Sequence, residues 1–140
     1  MFAKMAEKLA GGAKRMQGRT DLLEAVCASA ALVAAADGDI DDSEIEAALK
    51  AVKANENLRL AFKETEIGIC MDKMLDRANG GRVGRMNLMK EIGEIPEADG
   101  EMVLLAALDI AEADGDIDDD EMKVIAKIAG VFGLKAEAYL

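Results

Sequence analysis

The nonapeptide ADGDIDDSE at Ala36–Glu44 recurs as ADGDIDDDE at Ala113–Glu121, identical at eight of nine positions with a constant offset of 77 residues. Neither copy holds a basic residue, and a segment this densely charged belongs at the surface. Apolar residues at helical spacing flank both copies. Leu23, Val26, Cys27, Ala30 and Val33 share one face of a helix predicted over 20–36, capped by Thr20 or Asp21 and ended where Gly38 can turn left-handed. Ile45, Ala48, Leu49 and Val52 do the same over 42–54. Leu104, Leu105, Leu108 and Ala111 lead into the second copy, and Met122, Ile125, Ile128 and Phe132 follow it over 119–131, with Gly133 as the stop. The chain must therefore fold as two copies of one helix–loop–helix unit, at 20–55 and 96–135, in which Ile45 matches Met122 and Ala48 matches Ile125. Ile40 and Ile117, each set among aspartates, are expected to pin the two loops to the core side by side.

Residues 56–95 read as central helices. A short helix or turn is expected over 58–63, and a helix over 64–77 with Ile67, Cys70, Met71, Met74 and Leu75 inward, ending at Gly80–Gly81. A third, over 82–94, would turn Val83, Met86, Met89 and Ile92 inward. Pro96 suits the first turn of the long helix that follows. Residues 1–19 supply an amphipathic helix, with Phe2, Met5 and Leu9 at helical spacing, and the basic loop GGAKRMQGR. That helix is short and holds only two lysines, so docking on the core is expected over lying on a membrane surface. The composition agrees with helix throughout: 51% apolar residues, only 3% aromatic and a single proline. At 140 residues the chain can bury one sizeable core. The expected fold is all-α, a compact single-domain bundle of about seven helices spanning 1–140, with an internal pseudo-two-fold repeat.

The net charge of −11 is concentrated. Residues 37–46 and 109–121 hold 14 of the 28 acidic residues, leaving 14 acids against 17 basic residues elsewhere. Focused negative charge argues for a cation site and against nucleic acid. Numbered from the first aspartate, carboxylates fall at loop positions 1, 3, 5, 6 and 8, the pattern by which a tight loop surrounds a hard divalent cation with oxygen. It is not an EF-hand: the glycine stands at position 2, and position 12 is Ala48 or Ile125 where a bidentate glutamate is needed.

Helix capping accounts for some of these acids without a metal. Asp41 with Glu44, and Asp118 with Glu121, each match a capping box, and first-turn acids favour the helix dipole. Capping does not account for Asp37, Asp39, Asp114 and Asp116. Asp37 and Asp114 stand at the ends of helices, where negative charge is unfavourable by about 0.3–1 kcal/mol. The same unfavourable choice made twice points to a cation that offsets it. Catalysis has little to draw on: the chain lacks histidine, and no nucleophile–base pair can be assembled from it. The missing histidine and the distance between Cys27 and Cys70 also argue against Zn²⁺, and two buried free thiols are expected. GGAKRMQGR misses the phosphate-loop spacing. NGGRVGR reads as a solvated connector, and the Met71, Met74, Met86 and Met89 set as core filling ahead of a partner groove.

The repeated ADGDIDD[SD]E, its helix pairs and the terminal VFGL together resemble the tellurite-resistance TerB family over nearly the whole chain. The resemblance implies a non-enzymatic module with pseudo-two-fold symmetry and two acidic loops binding a divalent metal. Calcium is the implied ion, with Mg²⁺ or Mn²⁺ as alternatives. Carried onto this sequence, the ligands are Asp37, Asp39, Asp41 and Glu44, then Asp114, Asp116, Asp118 and Glu121. It further implies a role in chemical-stress resistance and phage defence, a cytoplasmic location, and a protein partner such as the membrane protein TerC. The alternative is a structural or adaptor subunit of a larger assembly such as a phage virion, with virion proteins as partners. Neither version calls for direct membrane insertion, since no stretch of the sequence is long and apolar enough to span a bilayer.

Overall fold

The computed structural model describes residues 16–113 and 115–140. Within them the chain forms seven α-helices: α1 (Thr20–Ala34), α2 (Asp42–Ala54), α3 (Glu56–Ala61), α4 (Glu64–Ala78), α5 (Arg82–Ile92), α6 (Gly100–Ala113) and α7 (Asp119–Val131). Single 3-10 turns add Glu97–Asp99 and Ala136–Tyr139, and the described residues contain no strand. The predicted helix carrying Phe2, Met5 and Leu9, and the aspartate Asp114, lie outside the described residues.

Two helices form the centre. α1 is buried from Ala25 through Val33 and α6 from Met102 through Leu108. A helix that is apolar all round has to be surrounded, and α1 packs against α2, α4, α5, α6 and α7. Its one buried hydroxyl, Ser29, is satisfied within the helix by donating to the Ala25 carbonyl at 2.8 Å. The two helix–loop–helix units share this core, since α1 meets both α6 and α7, and α2 meets α6. α7 closes with paired backbone bonds, Leu134 N–H to Ala129 and Gly133 N–H to Gly130, made possible by a positive φ of 70° at Gly133.

Several elements depart from the sequence expectation. The cap of α1 is Arg19, because the Asp21 carboxylate is drawn into a two-pronged pair with the Arg19 guanidinium at 3.0 and 2.9 Å. α3 starts two residues before the predicted helix because Asn55 caps it, its Oδ1 accepting from Leu58 N–H at 3.1 Å. Pro96 is extended, with ψ 134°, so it leads a 3-10 turn and the α-helix begins only at Gly100. α5 is rotated from the predicted face. Its inward line is Gly84, Leu88 and Ile92, while Val83 and Met86 are 70% and 64% exposed and Met89 is half-buried. The cause lies at Gly84, where a β-carbon would stand 2.1 Å from the Arg77 carbonyl. The close crossing of α4 and α5 therefore needs glycine there, and that fixes the phase of the helix. An Arg77–Glu91 ion pair at 2.7 Å joins the same two helices. Met71 and Met74 are fully buried, so that half of the methionine set fills the core.

Cys27 and Cys70 are both free thiols, but only Cys27 is buried and Cys70 is half-buried. They stand 43 positions apart in the chain, on two helices, α1 and α4, that pack together.

Candidate metal centre

The first acidic loop leaves α1 through two backbone turns, Ala36 N–H to Val33 and Gly38 N–H to Ala35. Gly38 then takes φ 111°, and Gly115 takes φ 129° at the same place in the second loop. Nothing lies within 4 Å of where either β-carbon would stand, so the glycines are required by backbone conformation and not by space. Ile40 follows, 5% exposed, and enters the core as expected. Ile117 is half-buried and also packs on the core. The flanking carboxylates Asp37, Asp39 and Asp41, and in the second loop Asp116 and Asp118, face solvent.

Both predicted capping boxes are formed. Asp41 Oδ1 accepts from Glu44 N–H at 2.8 Å while Glu44 Oε1 accepts from Asp41 N–H at 3.2 Å. Asp118 and Glu121 repeat this at 2.8 and 3.0 Å. The Glu44 amide, followed by the Ser43 hydroxyl at 2.8 Å, holds the Asp41 carboxyl below the usual carboxylate range. Each following helix thus begins with an acid pair locked in place, and the second helices, α2 and α7, have equal lengths of 13 residues.

What holds the first loop comes from a segment read as a connector. Asn79 Oδ1, at the end of α4, accepts from Ile40 N–H at 3.2 Å. The Arg85 guanidinium of α5 donates from one nitrogen to the carbonyls of Gly38 and Ala78, each at 3.2 Å. NGGRVGR is therefore a tether for the loop. Nothing in its sequence pairs it with residues some forty positions upstream; the signal exists only once α5 is placed beside α1. A second missed partner is Asp109, whose Oδ2 accepts from the buried Asn55 amide at 2.8 Å. This acid of the second cluster joins the α2–α3 junction to α6.

The carboxylates suit a hard cation in type, since every candidate donor is an oxygen. In arrangement they are paired rather than gathered. Among the described residues, no three Asp, Glu, Cys or His side chains converge as a metal-holding group. Among the described residues, Glu44 and Glu121 are the half-buried members of the candidate set, and its aspartates are exposed. Residues of both units, including Ala34, Ala48, Ile110 and Glu121, line a small cavity of about 30 Å³ between α1, α2, α6 and α7. Glu121 therefore borders the seam between the two units while its carboxylate reaches back to the Asp118 amide at 3.0 Å.

No described helix is long and apolar enough to cross a membrane. A family model described as "Tellurite resistance protein TerB" matches residues 23–140. No curated protein and no solved structure matches the chain.

Proposed function

The chain belongs to the TerB family of tellurite resistance proteins, and from that premise we propose that it is a non-enzymatic module that binds divalent cations, Ca²⁺ first, at its two acidic loops. The observation that carries the reading is the duplication itself. Two loops hold carboxylates at the same positions around a positive-φ glycine, and helix capping employs only Asp41, Glu44, Asp118 and Glu121. Among the described residues Asp37, Asp39 and Asp116 have no such duty, and Asp114 occupies the position matching Asp37 in the sequence. In this reading Asp37, Asp39, Asp41 and Glu44 hold one cation, and Asp114, Asp116, Asp118 and Glu121 hold another.

The capped pairs act as fixed halves of each site, because their rotamers are already set by backbone bonds. The exposed aspartates are mobile halves that swing in, which a surface side chain does at small cost. A bound cation supplies positive charge that offsets the crowded carboxylates. The loop residues then do the mechanical work: they join the end of one helix to the first turn of the next, so gathering them fixes the angle between those helices. Such a ligand of the native state raises stability by about 2.7 kcal/mol at a hundredfold excess over its dissociation constant. Thermal unfolding in millimolar Ca²⁺ should therefore occur well above that in chelator. Coincident curves would refute the reading.

A docking-adaptor role is favoured by a different observation, the exposure of Leu60, Ile69, Val83 and Met86. It predicts a stable complex at physiological salt whether or not the cation is present. A lone small species on size-exclusion of native extract would count against it.

A further inference from the structure

Acidic residues outnumber basic ones in this chain by 28 to 17, yet one cavity reverses the balance. It has a volume of about 330 Å³ and lies between α5 and α7, both of which pack on α1. Leu32 and Ala35, buried at the end of α1, form its floor. Arg82, Arg85 and Lys127 stand on its walls, and no acid lines it. Met86, Met89 and Val124 make the rest of the walls apolar. We propose that this cavity binds a single-chain amphiphilic carboxylate, its alkyl chain against the methionines and Leu32 and its head group among the three cations.

The charge around the cavity is uncompensated. Arg85 gives one nitrogen to the carbonyls of Gly38 and Ala78, which fix the guanidinium but, being neutral, leave its charge whole. Arg82 and Lys127 are exposed and enter no ion pair among the described residues. α5 opens on Arg82 with no acid in its first turn and no side-chain cap, so the positive end of its dipole adds to the three cations. Positive charge at a helix start is unfavourable, and a bound anion offsets it.

The lining also decides what carries the anion. None of its side chains holds an oxygen, so an extended peptide would find no side-chain acceptor for its N–H groups there. A sugar or nucleotide meets the same shortage. An alkyl chain asks only for apolar cover, and methionine adapts to a flexible chain of varied shape. Met86, 64% exposed, has apolar surface to lose to such a ligand. From Arg82 to Met89 the α5 wall runs about 10 Å, at about 1.5 Å per residue, which suits a chain of medium length.

The test titrates the full chain, labelled at its methionine methyl carbons, with dodecanoate below its micelle concentration. Chelator is present throughout, which prevents calcium soaps and keeps the result separate from the acidic loops. The Met86 and Met89 methyl resonances are expected to shift saturably, while those of the fully buried Met71 and Met74 stay in place. Octanoate should bind more weakly, and acetate not at all. Arg82→Gln with Lys127→Gln removes two of the three charges and should weaken dodecanoate binding by about tenfold or more. Met86→Glu, which places an acid in the cavity, should abolish it. Both variants alter exposed side chains, so each decides the question should the other fail to fold. Equal shifts with dodecyltrimethylammonium or with acetate, or an affinity unchanged in the double variant, would overturn the proposal. So would a response to phosphatidylglycerol vesicles or to an acidic peptide with none to monomeric dodecanoate.

Discussion

Asn79→Ala is the most informative single change, because it tests the tether of the first acidic loop without touching a carboxylate. In the wild type, Ile40 N–H donates to Asn79 Oδ1 at 3.2 Å, and the Ile40 side chain is 5% exposed. Alanine removes that acceptor and leaves the amide without its protein partner. A buried donor left unmade costs about 1–3 kcal/mol. Asn79 itself is exposed, so water reaches the amide and the low end applies, about 1 kcal/mol. Local opening then becomes more frequent, and hydrogen exchange at the Ile40 amide should accelerate by about fivefold, since 1.4 kcal/mol is a factor of ten. The amides of Leu104 and Leu105 in α6 should exchange as before, because they sit in the central core. Arg85→Met provides the companion measurement. It keeps an apolar stem but loses the bonds to Gly38 and Ala78, and it should loosen the same loop. If Ile40 exchange is unchanged in both variants, the tether does not hold the loop and the reasoning fails.

Gly100→Ala should destabilise the fold by about 1–3 kcal/mol, the usual range for overpacking, because the new β-carbon would stand 2.3 Å from the Phe132 ring. Urea unfolding checks this as a lower midpoint with an unchanged slope. Asp118→Ala, measured in chelator, should cost about 1 kcal/mol by removing the cap of α7, and a wild-type midpoint would contradict the capping account. The bond from Tyr139 to Glu101, with burial adding, raises the phenol to about 12, above its ordinary value of 10. A raised folded-state pKa contributes stability that is complete below pH 10 and lost as pH climbs toward 12. A pH series of melting curves for the wild type and Tyr139→Phe should therefore show an alkaline decline that the variant lacks.

The helices were legible where local chemistry decided them. α2 and α7 begin and end where the sequence places them, because Asp41–Glu44 and Asp118–Glu121 are capping boxes whose partners lie three residues apart. Ile40 was legible as a plug because an isoleucine among aspartates has no reason to face water. The failures were tertiary. Apolar periodicity alone turned Val83 and Met86 inward; the Gly84–Arg77 crossing, invisible in either helix by itself, turned them out. Asn79 and Arg85 looked like connector residues because their partners, Ile40 and Gly38, are remote in sequence. Of the candidate ligands, sequence spacing identified four whose hydrogen bonds the fold fixes, Asp41, Glu44, Asp118 and Glu121. Spacing could not show that the described carboxylates do not gather into one metal-holding group, since exposed rotamers are set by solvent and not by neighbours.

The central claim is that two near-identical acidic loops are cation sites, and calorimetric titration with Ca²⁺ tests it most directly. Wild-type chain, stripped with chelator, should give a saturable isotherm with two cations per chain. Asp37→Ala with Asp114→Ala removes one carboxylate from each loop while leaving both capping boxes intact, so the double variant should stay folded and lose that binding. A wild-type titration without heat at several temperatures, or an isotherm unchanged by the double substitution, would contradict the account.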